Sequence, residues 1–333
     1  MLTSKDISVI VQGAIDKQNT PLCLTSIREH LPEAEIILST WQGSDVLGLD
    51  YDELVLNVDP GAFPYNNKPN SKMNNIDRQI VTTLNGLKLA TRDYAFKLRS
   101  DFILDGCDFL SYFNQCPKSD LKYKVFEHKI LSYSLFARNP RNKKHPLSFH
   151  PSDIAFLGLR SDLINLFDIP LTPKKDISFY KHKGYKYCRY APEQYLWINC
   201  LRKNGKYVQC DYQKHCNKQI IKDTERYIVS NFIYLDYEQF NLIPPQKLLL
   251  FYKNDFEDII TNVELQSIYK CYVDSTHIVP KKDRFRNQIN RKKRKLNRYK
   301  LFARLLVFLI PSKKTRQRLR KNILEYLARD LRL

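Results

Sequence analysis

Four short apolar runs, spaced by turn residues or by a helical repeat, occupy the first hundred residues, and this alternation restricts the fold more than any other feature of the chain. Ile7-Ser-Val-Ile-Val11 is β-branched and stops at Gln12-Gly13, the pattern of a buried strand entering a tight turn. Leu24, Ile27 and Leu31 recur at helical spacing between Pro21, suited to a first helical position, and Pro32, which ends the repeat. Strands are expected at Glu35 to Ser39 and at Glu53 to Val58. After an Asn-rich loop, Ile76, Ile80, Leu84 and Leu87 mark a helix of about four turns, and Tyr94 to Leu98 is a further strand leading into Arg99-Ser100-Asp101. The alternation predicts βαβ units and a doubly wound, mostly parallel α/β sheet. Ligands bind such sheets at the carboxyl ends of strands, here Gln12-Gly13 and Arg99-Asp101.

The second half is less regular. A strand is expected at Lys129 to Phe136, followed by a basic loop with Arg138, Arg141, Lys143 and Lys144. Phe149-His-Pro-Ser-Asp153 opens the apolar run Ile154 to Leu159, and Asp162 to Phe167 reads as a short helix. Pro192 starts a longer one that Asn204-Gly205 closes, with a strand expected at Lys206 to Cys210. At 333 residues, 43% hydrophobic, the chain can bury a large core, which excludes a disordered protein or a stapled miniprotein. Eight cysteines without a CxxC pair imply free thiols in a reducing compartment, and Met1 to Gln12 lacks the basic start and apolar stretch of a signal peptide, so a cytoplasmic location is expected. Cys210, His215 and Cys216 match no common metal-site spacing.

Several residues have the chemistry of a site. On a strand, residues two apart share a face, so Lys97, Arg99 and Asp101 are expected to point together: two cations and a carboxylate suited to a diphosphate, though an Arg–Asp ion pair at a sheet edge fits the same letters. His150, Ser152 and Asp153 sit before a strand, where a His beside a carboxylate serves as base or clamp and a capped turn is the plainer alternative. Glu193 follows Pro192 at a helix start, where the dipole favours an ionised carboxylate, either as a cap or as a base. Gln12 and Gly13 let backbone approach a base or ribose. No GxGxxG or GxxxxGKS motif is present.

Taken in order, Ile7-Ser-Val-Ile-Val-Gln-Gly13, His30 to Trp41, Asp59-Pro-Gly-Ala62, Arg78 to Lys88, Lys97-Leu-Arg-Ser-Asp101, His150-Pro-Ser-Asp153 and Pro192-Glu-Gln-Tyr195 resemble the WavE family of lipopolysaccharide-synthesis proteins over about residues 6 to 235. The resemblance implies a GT-A-like glycosyltransferase acting from a nucleotide-sugar donor onto lipopolysaccharide core or a related surface glycan. It implies donor binding by Gln12, Gly13, Arg78, Lys97, Arg99 and Asp101. Asp101 stands where such folds place an Asp-x-Asp motif for Mn or Mg. Arg99 replaces the first Asp, so Lys97 and Arg99 would offer neutralisation without an ion. The acceptor side would hold His150 and Ser152. The segments Asp153 to Leu159 and Glu193-Gln194 are similar to the acceptor strand and Glu-Asp helix start of inverting transferases. With Gln194 in place of Asp, the base would be Glu193 or Asp153, with Glu193 preferred. The implied organisation is a nucleotide-sugar half over residues 1–101, an acceptor half over 102–240, a connection over 241–280 and a basic tail over 281–333.

Charge is concentrated in that tail. Residues 281–333 hold 20 of the 55 Lys and Arg against 3 of the 35 Asp and Glu, and the rest of the chain is close to neutral. Arg291-Lys-Lys-Arg-Lys295 precedes the apolar Leu301 to Ile310, and Leu319, Ile323, Leu327 and Leu331 form a stripe among Arg316, Arg318, Arg320, Lys321 and Arg329. A cationic amphipathic helix beside a short apolar segment is expected to lie on an anionic membrane, peripheral on its inner face and near a glycolipid acceptor. The competing expectation is a noncatalytic nucleic-acid-binding protein, since the same run would condense on phosphates.

Overall fold

The computed structural model describes residues 2–142, 146–245, 248, 258–282, 284–308 and 310–328. Lys143 and Lys144 of the basic loop, and Arg329 and Leu331 of the tail, lie outside the described residues. Seven strands form the main sheet: β1 (Ile7–Gln12), β2 (Glu35–Trp41), β3 (Glu53–Asn57), β4 (Tyr94–Arg99), β5 (Ile130–Tyr133), β6 (Ala155–Leu159) and β7 (Phe232–Leu235). Their order is β3-β2-β1-β4-β6-β5-β7. All neighbours run parallel except β6, which is antiparallel to both β4 and β5. Strands from residues 1–101 and from 102–240 thus share one continuous sheet.

Among the described residues the helices longer than one turn are α1 (Asn19–His30), α2 (Ile76–Leu89), α3 (Arg160–Phe167), α4 (Pro192–Lys203), α5 (Lys218–Asn231), α6 (Asn262–Tyr272), α7 (Arg284–Leu306) and α8 (Lys313–Ala328). Ile80 and Leu87 of α2 are buried, as the periodicity predicts, and the helix lies so close to β1 that a Cβ on Gly86 would sit 2.5 Å from the γ-methyl of Ile10. Every residue of β1 is buried because helices cover both faces of the sheet, so inward and outward positions are not distinguished by polarity.

Two elements differ from expectation. Lys206 to Cys210 is not a strand. The buried Cys210 carbonyl is satisfied by side chains instead, accepting from the Tyr190 hydroxyl at 2.6 Å and from Arg202 Nη2 at 3.2 Å. Conversely, α5 and edge strand β7 go unpredicted because Asn231 passes straight into Phe232 with no turn residue between them. A start signal was there to read, since Asn217 Oδ1 accepts from the Ile220 amide at 2.9 Å as a helix cap. Among the described residues no helix is long and apolar enough to cross a membrane, no group of His, Cys, Asp and Glu could hold a metal ion, and all eight cysteines are free.

Candidate active site

β1, β2 and β4 end side by side, and a cleft of about 540 Å³ opens at that edge. Its wall includes Gln12 and Gly13 after β1, Trp41 at the end of β2, Arg99, Ser100 and Asp101 after β4, and Arg78 on α2. Asp153 and Pro192 line it as well. β6 brings Asp153 here because it runs backwards: Ala155 pairs with Leu98, so the beginning of β6 meets the end of β4.

Gly13 ties two of these ends together. Its amide donates to the Ser39 carbonyl at 3.1 Å, and its φ of +121° suits glycine alone. A Cβ there would stand 3.3 Å from the Ser100 hydroxyl, which itself donates to the Ala14 carbonyl at 2.7 Å. Gln12 is buried, its Oε1 accepting from the Thr82 hydroxyl at 2.8 Å. Arg99 clasps Asp101 with two hydrogen bonds, Nε to Oδ1 at 3.1 Å and Nη2 to Oδ2 at 2.9 Å. Arg78 is held in the same way by Asp59, at 2.8 and 2.5 Å.

Lys97 departs from the expected arrangement. It is fully buried and donates to the carbonyls of Asp153 and Ile154, so its charge faces β6 and not the cleft. Alternation along β4 misleads here because both faces of the strand are covered. Burial pushes the Lys97 ammonium down, against the pull of the Asp153 carboxylate. Ser152 is likewise buried, donating to the Leu135 carbonyl, and does not reach the cleft.

Two carboxylates, Asp153 on the cleft lining and Glu193 outside it, have opposite environments. Burial first, and the Glu193 charge second, push the Asp153 carboxyl above its ordinary value. Burial would lift Glu193 too, but His150, whose Nε2 lies 3.2 Å from Glu193 Oε2, holds it below the usual range. His150 Nδ1 is buried without a hydrogen-bond partner among the described residues. Gln194 holds structure: it donates to the carbonyls of Ser148 at 2.7 Å and Gln213 at 3.1 Å and accepts from the Ala191 amide at 3.1 Å.

Trp41, Asn75 and Gln79 belong to the cleft but are absent from the sequence-derived site. The end of β2 was as readable a position as those of β1 and β4, and applying the carboxyl-end rule to every strand finds Trp41. Gln79, which donates to the Asp153 carbonyl at 2.9 Å, has no sequence signal, since its partner is remote along the chain.

A sheet ordered 3-2-1-4-6-5-7 with one reversed strand, and a polar cleft where β1, β2 and β4 end, define the class as a doubly wound, mostly parallel α/β protein with its cleft at the carboxyl ends of the strands. Within that class the chain belongs to the WavE lipopolysaccharide-synthesis family, whose model matches residues 7–300. No curated protein matches it. Among solved structures it is distantly similar to the mannosyltransferase PcManGT from Pyrobaculum calidifontis in complex with GDP-Man and Mn2+, with 12% identity, 65% of this chain and 55% of that chain covered, and a TM-score of 0.31. A likeness to residues 1–349 of S. aureus TarS has 10% identity, 98% and 91% coverage and a TM-score of 0.28. The same TarS segment with UDP-GlcNAc gives 11%, 98% and 91%, and 0.26.

Proposed function

We propose that the protein transfers a sugar from a nucleotide-sugar donor to lipopolysaccharide core or a related surface glycan at the cytoplasmic face of the membrane. The observation that carries this reading is the juxtaposition, in one cleft, of anion-binding groups (Arg78, Arg99, Ser100) with a carboxylate (Asp153) whose burial raises its affinity for a proton. The nucleoside would rest against Trp41, Gln12 and Gly13, where an aromatic face and a Cβ-free backbone suit a flat base and its ribose. Arg78 and Arg99, each aligned by an Asp, would bind the diphosphate through charge-assisted hydrogen bonds.

Two neighbouring carboxyls pushed in opposite directions supply an acid–base assignment. Asp153, with the higher affinity for a proton and a place on the cleft wall, takes the proton of the attacking acceptor hydroxyl. Glu193 remains ionised, orients His150 and presents negative charge to Asp153, which makes Asp153 the stronger base. This reverses the preference for Glu193 that its helix-start position gives. Asp101 offers one carboxylate, a donor set that fits a Mg or Mn ion brought in with the diphosphate rather than a resident centre. Such an ion would neutralise charge on the leaving diphosphate.

The membrane side of the proposal rests on the tail. Leu301, Phe302, Leu305, Leu306 and Phe308 are all exposed where α7 turns towards α8, among the basic residues of both helices. A thermal-shift screen of uridine, cytidine, guanosine and thymidine diphosphate-sugars, with and without Mn, tests donor binding directly, because bound ligand stabilises the fold by mass action. One donor should raise the melting temperature, and Arg99→Ala and Asp101→Ala should each abolish the shift. Unchanged shifts in both variants would remove the site assignment.

A further inference from the structure

Beside the cleft stands an aromatic and basic surface that the donor and the transfer step do not use. Tyr180–His182 and Tyr185–Tyr187 form an antiparallel hairpin. Segment 65–67 extends it, with the Cys188 amide donating to the Tyr65 carbonyl at 3.1 Å and the Asn67 amide to the Lys186 carbonyl at 3.0 Å. Tyr180 stacks on Tyr187 with centroids 5.4 Å apart and packs against Tyr212 at 5.2 Å, while Tyr212 stacks on His215 at 5.6 Å. Tyr212 in this tier is 37% exposed, and the neighbouring Tyr185 and Phe179 are 37% and 42% exposed.

Cations sit on this tier. Lys68 Nζ lies 4.9 Å from the Tyr185 ring centroid, and the Arg189 guanidinium 4.4 Å from that of Phe179. Between residues 174 and 189 the sequence holds six Lys and Arg and one Asp. Lys214 first, then burial, then Lys183 and Lys68, push the His182 imidazole down. The chain connects this surface to the cleft at two points. Tyr187 is five residues before Pro192, a span of at most about 18 Å, and Met73, from the same loop as Tyr65, lines the cleft.

We propose that this hairpin surface binds the acceptor, and that the acceptor is an anionic glycan bearing phosphate groups. Sugar rings present apolar C–H faces that lie flat on aromatic rings, and tyrosine hydroxyls at the ring edges hydrogen-bond their equatorial hydroxyls. The lysines take the phosphates. Arg189 and His215 are already paired with Asp176 and Asp211, whereas Lys68, Lys183 and Lys214 are exposed, and a phosphate would neutralise these three where a neutral sugar would not. This inference rests on the transferase reading for the word acceptor, but the binding it describes is measurable without turnover.

The test titrates the full-length protein with a phosphorylated core oligosaccharide released from lipopolysaccharide, with the same oligosaccharide after phosphate removal, and with single-stranded RNA of comparable charge. The phosphorylated oligosaccharide should bind most tightly. Tyr185→Ala with Tyr212→Ala should weaken it about tenfold or more, and Lys183→Gln with Lys214→Gln should erase the preference for the phosphorylated form. Thermal shifts by nucleotide-sugars should be the same in all variants. Glycan affinity untouched by the lysine pair, or RNA binding more tightly than the phosphorylated glycan, overturns the proposal. Glycan binding that follows these variants in a protein that no nucleotide-sugar stabilises would instead sink the transferase reading and leave the surface standing.

Discussion

At the scale of single residues, the proposed transfer requires Asp153 to be a better proton acceptor than a surface carboxylate. Asp153→Asn keeps the shape and removes the base, so turnover should fall about 10²- to 10⁴-fold while the donor-induced thermal shift persists. Because burial and Glu193 raise its pKa, the acid limb of the pH–rate profile should lie above the ordinary carboxylate range, with activity lost as pH falls through it. Glu193→Gln removes one of the two causes and should move that limb to lower pH; a limb that stays put would count against the coupling. Gly13→Ala should lower both the melting temperature and donor affinity, by about 1–3 kcal/mol of backbone strain at a φ that only glycine adopts readily. Much of this was readable in the letters: Gln12, Gly13, Arg78, Arg99, Asp101 and Asp153 all line one cleft. Lys97 and Ser152 were not readable, because a polar residue two positions from a site residue looks the same whether it faces solvent or bonds a buried carbonyl.

At the scale of elements, the contact between α2 and β1 fixes the donor wall. Gly86→Leu forces a side chain against Ile10 in a close-packed layer and should cost about 1–3 kcal/mol, seen as a lower denaturation midpoint with an unchanged slope. The start of β5 carries another cost. Lys129 is 8% exposed, donates to the Val229 carbonyl at 2.5 Å, and burial lowers its pKa to about 8. Between about pH 8 and the ordinary lysine value the unfolded chain holds a proton that the folded one has lost, so stability rises with pH across that window. Lys129→Met should flatten this rise in denaturation experiments from pH 7 to 10. The first four strands and α2 were legible because each apolar run ends at a turn residue. β7 was not, since α5 runs into it directly, and the expected strand at Lys206 to Cys210 was a false reading of apolar letters whose carbonyls side chains satisfy.

At the scale of the whole molecule, a nearly neutral body carries a strongly basic pair of helices. Lys292 lies 6.0 Å above the Tyr237 ring, next to the carboxyl end of β7, so α7 joins the body at the same sheet edge as the cleft. Removing everything after Pro280 should abolish sedimentation with anionic vesicles, since each basic residue near such a surface contributes about 1 kcal/mol, yet leave nucleotide-sugar binding intact. Undiminished sedimentation would refute the membrane role, and preferential loss of duplex DNA binding would favour nucleic acid. The reversed β6 has a further consequence. Both ends of the span from Tyr133 to Ala155 are anchored at the working edge of the sheet, and Asp153 lies within that span beside the buried Leu135, Phe149 and Ile154. Swapping that stretch between relatives would therefore exchange the proposed base together with the loop that carries it, a single inheritance of chemistry and connection.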